Sequence, residues 1–438
     1  MASATAQTEP GATEAEAREP SWLVERRARA VDAAKELALP GPKTRGWEFT
    51  DLSKLDLSSF APAEDGDLAS AEIVAARLQI PEGATGLTQV DANTHLDAAL
   101  PAVTGEGRPD GVAVMSLSEG AERFPDLVGE RLGTIVPAGT DPFVAINDAG
   151  WSGGALVYVP RNTRPDAPIS LTAIQQAAGR SLNWRTLIVL EEGAEAEVWE
   201  RYVSADDESE GLFNGVTELI LGAGSNLRYV CGQDLSPSSW IFASQRAEVD
   251  RDANLEWIAL GFGSGNGKVR METKLSGRGA GARVTGAYVT NGRQHIDYDT
   301  TQEHAAEDTT SDLSFRGVLD GRSTAVWRGM INVDRGAQRT DAFQDCRNLI
   351  LSPKAHADAI PGLQIEADDV ACTHAAAVAQ IDPEQLFYLQ SRGLGKELSS
   401  ELVVGGFLAE LVERVPAGPM GDALATALDT RLAELLHP

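Results

Sequence analysis

L-I-V-L-E-E-G-A-E-A-E-V-W (Leu187–Trp199), L-I-L-G-A-G-S-N-L-R-Y-V (Leu219–Val230) and A-E-V-D-R-D-A-N-L-E-W (Ala247–Trp257) repeat one design. Each is an apolar strand, a turn of small or acidic residues, and a second strand that alternates apolar with polar, the period of a half-buried β-strand. The series continues through T-K-L-S-G-R-G-A-G-A-R-V (Thr273–Val284) and V-L-D-G-R-S-T-A-V-W (Val318–Trp327). Turn centres fall near 193, 224, 253, 280, 322, 337 and 355, so the gaps are about 30 residues early and about 15 to 18 late, with one near 40. No helix-length pattern lies between the strands, which excludes a βαβ fold. Strand-turn units at such a period bury their apolar faces by stacking on one another, the arrangement of a parallel β-solenoid. A β-sandwich is the competing arrangement.

Outside this core, about Trp151 to Asp382, the texture changes. Residues 1–20 are small and acidic and read as a disordered tail. From 21 to 150 the pattern is mixed and mainly helical. A helix starts at Ser21 as N-cap and stops at Pro40-Gly41-Pro42, and further helices are expected over Asp67–Leu78 and Ser116–Leu132. The segment 383–438 is helical. Asp382-Pro383-Glu384-Gln385 supplies an N-cap acceptor, a proline at the first helical position and a glutamine for a capping box. Gly393 ends that helix, a second runs from about Lys396 to Val415, and a third, from Asp422, lines up Leu424, Leu428, Leu432 and Leu435.

At 438 residues the chain exceeds one ordinary core, so two or three domains are expected. Sixty-five acids against 37 bases give a net charge of −28, which repels phosphate backbones and anionic membranes, so neither nucleic acid nor a membrane is an expected partner. Three cysteines are too few for a disulfide framework, and no apolar run is long enough to span a bilayer. The expected setting is a reducing cytoplasm. G-F-G-S-G-N-G-K-V (Gly261–Val269) fails as a phosphate loop, with Phe262 and Val269 where glycine and Ser/Thr are required, and reads as a plain loop.

Chemistry gathers near the end of the solenoid. Cys372 and His374 are two residues apart in an alternating stretch, so a thiol and an imidazole share a face and can ligate iron or zinc or carry sulfur. Two ligands do not complete a tetrahedral site, and an isolated C-x-H is otherwise a buried thiol beside a satisfied histidine. Weaker candidates are Cys346, 26 residues before Cys372 and so one coil away, and His295 with Asp297, Asp299, Glu303 and His304. Hydrogen-bonded stacking or interface packing is the usual explanation for the latter group. Cys231 reads as core.

Four motifs in order resemble the SufB/SufD family, the scaffold subunits of the SUF iron–sulfur assembly system. They are R-G-W-E-F-T-D-L (Arg45–Leu52), H-I-D-Y-D-T-T-Q-E-H (His295–His304), G-M-I-N-V-D-R-G-A-Q-R-T-D-A-F-Q (Gly329–Gln344) with N-L-I-L-S (Asn348–Ser352), and P-G-L-Q-I-E-A-D-D-V-A-C-T-H (Pro361–His374). A-D-D-V-A-C-T-H is nearer the SufD than the SufB branch. Where relatives commonly read C-T-H-G-A-T, this chain reads C-T-H-A-A-A.

The resemblance implies a right-handed parallel β-helix and a non-catalytic scaffold that pairs with a SufB-like subunit, with a homodimer as the other pairing. It implies His374 as an interface ligand with Cys372 in support, no tightly bound cofactor, and iron or a nascent cluster held transiently between subunits. It further implies docking of the SufC ATPase on the C-terminal helices through Leu386, Phe387, Tyr388, Arg392, Gly393, Gly406 and Phe407. The alternatives are the sister SufB-type subunit and a carbohydrate-active solenoid enzyme using Asp297, Asp299 and Arg316 along one face.

Overall fold

The repeating strand-turn units stack into two ten-stranded sheets in a computed structural model that describes residues 19–66, 78–97, 100 and 103–436. From β5 (Gly153–Val159) and β6 (Ile169–Gln175) onward, successive strands alternate between the sheets and each pairs in parallel with the strand two ahead. The chain is therefore a mainly β, parallel β-solenoid whose last coil is β19 (His356–Ile365) and β20 (Val370–Gln380). Arg180 pairs with Gly211, Trp240 with Asn266 and Thr324 with His356, so one coil takes 31, 26 and 32 residues at these points. The inward rows carry Trp184, Tyr202, Phe213, Tyr229, Trp257, Tyr288, Phe315 and Trp327 in one continuous core.

The repeat is more even than the turn signals suggested. Turns near 193, 224, 253, 280 and 337 lie on one edge of the solenoid, whereas those near 322 and 355 lie on the other. The gaps of about 15 to 18 are half-coils, from one edge to the next. The first edge is the more legible because every coil turns left-handed there, whereas only some do on the other: Asn162, Gly193, Gly224, Asp252, Gly279, Asp308 and Arg339 all have φ between 55° and 76°. Each donates its N–H to a carbonyl of the next coil, as from Gly193 to Ala223 (2.9 Å) and Gly224 to Arg251 (2.8 Å). Glycine, asparagine and aspartate enter that region most readily, hence the turn chemistry in the sequence.

The described residues of 21–150 form α1 (Ser21–Glu36), α2 (Leu117–Arg123), α3 (Pro125–Arg131) and α4 (Pro142–Gly150) with short strands between them. Ser21 is the first helical residue rather than the cap, which is Pro20. The helix expected over 116–132 is two, because Pro125 lacks an N–H and opens a new helix after Phe124. The tail expected at 1–20 and the helix at 67–78 fall almost wholly outside the described residues. Gly261–Val269 holds a turn only at 262–265, its two ends belonging to strands. After the solenoid come α5 (Pro383–Ser391), α6 (Lys396–Val412) and α7 (Pro419–Leu436). Asp382 caps α5 by accepting from the Glu384 N–H at 2.9 Å.

Both outer faces are partly covered. Val404, Leu408 and Leu411 of α6 and Leu424, Leu428, Leu432 and Leu435 of α7 pack on Trp199, Val230, Ile258, Leu260 and Val318 of the even-numbered sheet. On the odd-numbered sheet Trp47 stacks on Phe143 (5.4 Å between centroids), and Phe143 on Phe242 (3.7 Å). The two ends of the solenoid differ. At its start β3 (Asn93–Leu96) and β4 (Ala113–Ser116) finish the two sheets as short antiparallel strands. At its finish β19 and β20 have no further coil beyond them, and Ile360, Leu363, Ile365 and Val378 are 37–48% exposed there.

Candidate functional site

Cys372 and His374 lie on β20, the last strand of the even-numbered sheet. The strand pairs with β18 (Thr340–Ile350), setting Cys372 against Ala342 and His374 against Gln344. Ala342, Gln344 and Cys346 are buried in the inward row of β18, so Cys372 and His374 continue that row where the stack ends. His374 is exposed. Cys372 is half-buried against the small cluster of Ile331, Val333, Ala337, Ala342 and Ala367, and burial, with the Asp341 carboxylate, pushes its thiol pKa up. Among the described residues no group of three or more His, Cys, Asp or Glu is placed to hold a metal ion.

The weaker candidates have other occupations. Cys346 is fully buried and stands opposite Ala376, four residues along from Cys372 and so about 13 Å away along the strand direction. Coils here differ in length, so the 26-residue spacing does not bring the two thiols together. Burial pushes Cys346 up to about 12, as it does Cys231, and both are thiols at neutral pH. Cys231 is core, as its sequence context indicated.

His295 and His304 terminate β15 (His295–His304) but belong to opposite faces of it. His304 points inward, with Nδ1 2.8 Å from Thr309 Oγ1 and Nε2 2.8 Å from Ser311 Oγ, leaving neither nitrogen for a metal. Its burial lowers the pKa to about 4. An unfolded histidine binds its proton near 6.5, so the stability this residue contributes is complete above that pH and is lost as pH falls toward 4. Between pH 7 and pH 5 the loss is about 2 kcal/mol. Urea titrations at the two pH values are expected to show it, and His304→Gln to reduce the difference by that amount.

His295 shares the outer face with Asp297 and Asp299, which lies under the N-terminal segment. Thr50 Oγ1 donates to Asp297 at 2.7 Å, and Lys268 Nζ sits 2.9 Å from Asp297 and 3.6 Å from Asp299. Glu48 pairs with Arg328 at 2.8 Å. The R-G-W-E-F-T motif is thus a clamp across the outer sheet, and these carboxylates neutralise a buried lysine. Arg316 is on the other sheet, in β16 (Thr310–Leu319), buried between Asp345 (2.6 Å) and Glu410 (3.0 Å) with Phe407 at 5.9 Å. Asp297, Asp299 and Arg316 share no face, which removes the geometry a carbohydrate-active groove requires.

On α5, Phe387 is 73% and Tyr388 57% exposed, Leu386 is half-buried, and Arg392 lies over the Tyr388 ring at 5.2 Å. Gly393 follows the helix with φ 94°. On α6, Gly406 is exposed with open space at its Cβ position, whereas Phe407 turns toward Arg316 and the sheet. Leu398 and Leu402, exposed on the same helix, extend the apolar surface and were not singled out from sequence; the stripe that buries Val404, Leu408 and Leu411 masks them.

The comparisons agree with this architecture. The family model for the SufBD core domain of the SUF system of FeS cluster assembly matches residues 173–407, and that for the SufBD protein N-terminal region matches 11–171. The chain is 29% identical over 421 residues to the iron-sulfur cluster assembly protein SufD of Bacillus subtilis, covering 94% of this chain and 95% of that one. It is 26% identical over 404 residues to an iron-sulfur cluster assembly SufBD family protein of Staphylococcus epidermidis, covering 91% and 87%. With its N-terminal clamp and its solenoid inside the matched regions, the chain belongs to the SufBD family of the SUF iron–sulfur cluster assembly system.

Proposed function

We propose that this chain is a non-catalytic scaffold subunit that pairs through the open end of its solenoid with a SufB-like subunit and presents His374, supported by Cys372, to iron or a nascent cluster at that interface. The observation that carries this reading is the asymmetry of the two ends. At one end the sheets finish in the short antiparallel strands β3 and β4; at the other they finish in the full-length parallel strands β19 and β20, which expose four large apolar side chains and the thiol–imidazole pair. Unpaired edges and exposed apolar surface are what a second chain covers. Two ligands on one chain require the remainder from a partner. A second copy of this chain is the alternative partner, with iron or the cluster as passing cargo.

The SufC ATPase would dock on α5 and the start of α6, where Phe387, Tyr388, Leu398 and Leu402 form an exposed apolar face. Deleting the C-terminal helices is a poor test, since α6 and α7 cover the even-numbered sheet. Phe387→Asp with Tyr388→Asp leaves that cover in place. Co-purification with SufB-like and SufC-like subunits is expected to lose the ATPase alone in this variant. Retention of the ATPase would remove α5 as its site, and failure of the wild-type chain to bind either subunit would refute the scaffold reading.

A further inference from the structure

On the edge that carries the turns near 322 and 355, the last three coils repeat one chemistry. Arg293 in N-G-R-Q (291–294), Arg322 in D-G-R-S (320–323) and Lys354 in S-P-K-A (352–355) each precede a strand of the odd-numbered sheet by two residues. His295, Thr324 and His356, which open those strands, are partners in register, so the three cations hold one position in successive coils. With coils about 4.8 Å apart the row spans about 10 Å, and it ends on the last coil. One and two coils earlier the same position carries Ser264 and Ser238. All three cations are exposed, and among the described residues none of them forms an ion pair. The opposite edge of the same coils differs: there Arg278 and Arg339 both pair with Asp308, and Arg339 also with Glu307 at 2.7 Å. His356, next along the last coil, already has Asp358 at 3.2 Å.

Like charges stacked at this spacing repel one another, and carboxylates brought from outside convert the repulsion into attraction. We propose that the row receives an acidic, extended segment of the subunit paired at the open end. The segment runs back from that end along the edge of the last three coils, and its carboxylates meet Lys354, Arg322 and Arg293 in turn. Carboxylates on alternate residues of an extended chain are about 6.7 Å apart, a spacing that long, flexible cationic side chains can follow. A phosphate polymer is the poorer occupant, because it extends beyond the row onto a chain of net charge −28. A short segment tethered by the adjoining interface meets only the local field, since more distant charges are screened beyond about 8 Å. This proposal rests on the open end being the pairing surface.

Carbodiimide joins an amine to a carboxylate only where the two touch, and Lys354 supplies the amine. In the complex with the SufB-like subunit, mass spectrometry of the coupled peptides is expected to find Lys354 joined to an Asp or Glu of that subunit. With Arg322→Lys a second link is expected one coil deeper. Arg293→Glu, Arg322→Glu and Lys354→Glu together are expected to slow association about tenfold at low salt, and far less at about 1 M salt. Arg161→Glu, Arg251→Glu and Arg278→Glu on the opposite edge change the net charge equally and are expected to have little effect. An association rate and salt dependence unchanged by the first triple variant overturn the proposal, as does coupling of Lys354 to carboxylates of its own chain alone. Loss of inorganic polyphosphate binding in that variant, with subunit binding intact, assigns the row to a phosphate polymer and also overturns it. A wild-type complex in which β19 and β20 stay unprotected from hydrogen exchange is a failure of the pairing reading itself, and the proposal falls with it.

Discussion

Glu218→Ala is expected to destabilise the chain by about 3–5 kcal/mol, the range for removing one partner of a buried ion pair. Glu218 and Arg185 are fully buried and 2.9 Å apart. The same carboxylate accepts the backbone N–H groups of Gly133 (2.7 Å), Ile135 (3.2 Å) and Val136 (3.2 Å), tying the segment after α3 to β9 (Gly211–Leu221). Arg185 also contacts Asp148 at 3.3 Å, and Asp148 in turn holds Arg26 of α1 at 2.9 Å. Loss of Glu218 therefore orphans three backbone donors as well as weakening the hold on a guanidinium. Arg185→Met leaves those donors satisfied and is expected to be milder. Denaturant unfolding of both variants checks the order, and a milder effect from Glu218→Ala would show that the three N–H contacts contribute little.

His374→Ala is the opposite case, a change with a large functional effect and almost no effect on folding. The side chain is exposed at the last strand, so the unfolding free energy is expected to move by less than about 0.5 kcal/mol. Cluster maturation, reconstituted with the SufB-like and SufC-like subunits, is expected to be abolished, because the partner's ligands would face an incomplete coordination sphere. Cys372→Ser is expected to be weaker in function and somewhat worse for stability, since the thiol packs against Val333 and Ala342 in its own cluster. Normal maturation with His374→Ala would remove the interface-ligand role.

The coil repeat was readable because every coil passes through a left-handed turn on the same edge, and Gly193, Gly224, Asp252 and Gly279 mark it. The cap of α5 was readable for a similar reason, a local hydrogen bond between Asp382 and a neighbour two residues on. What the sequence concealed are contacts between distant segments. Thr50 and Asp297 are 247 positions apart, and nothing local to H-I-D-Y-D-T indicates that its carboxylates are covered and occupied by Lys268. Cys346 looked like a neighbour of Cys372 because spacing is counted in residues, whereas pairing depends on the length of each individual coil. The same-face relation of Cys372 and His374 needed only strand alternation, but their place at an open end follows from where the stack stops.

The central claim is that this open end is the pairing surface. Hydrogen exchange of the chain, alone and in complex with the SufB-like subunit, tests it most directly by following the amides of β19 and β20. Pairing through this end requires those amides to become strongly protected in the complex while β3 and β4, at the opposite end, are unchanged. A complex that forms with β19 and β20 exchanging as in the free chain would contradict it, and with it the role given to His374.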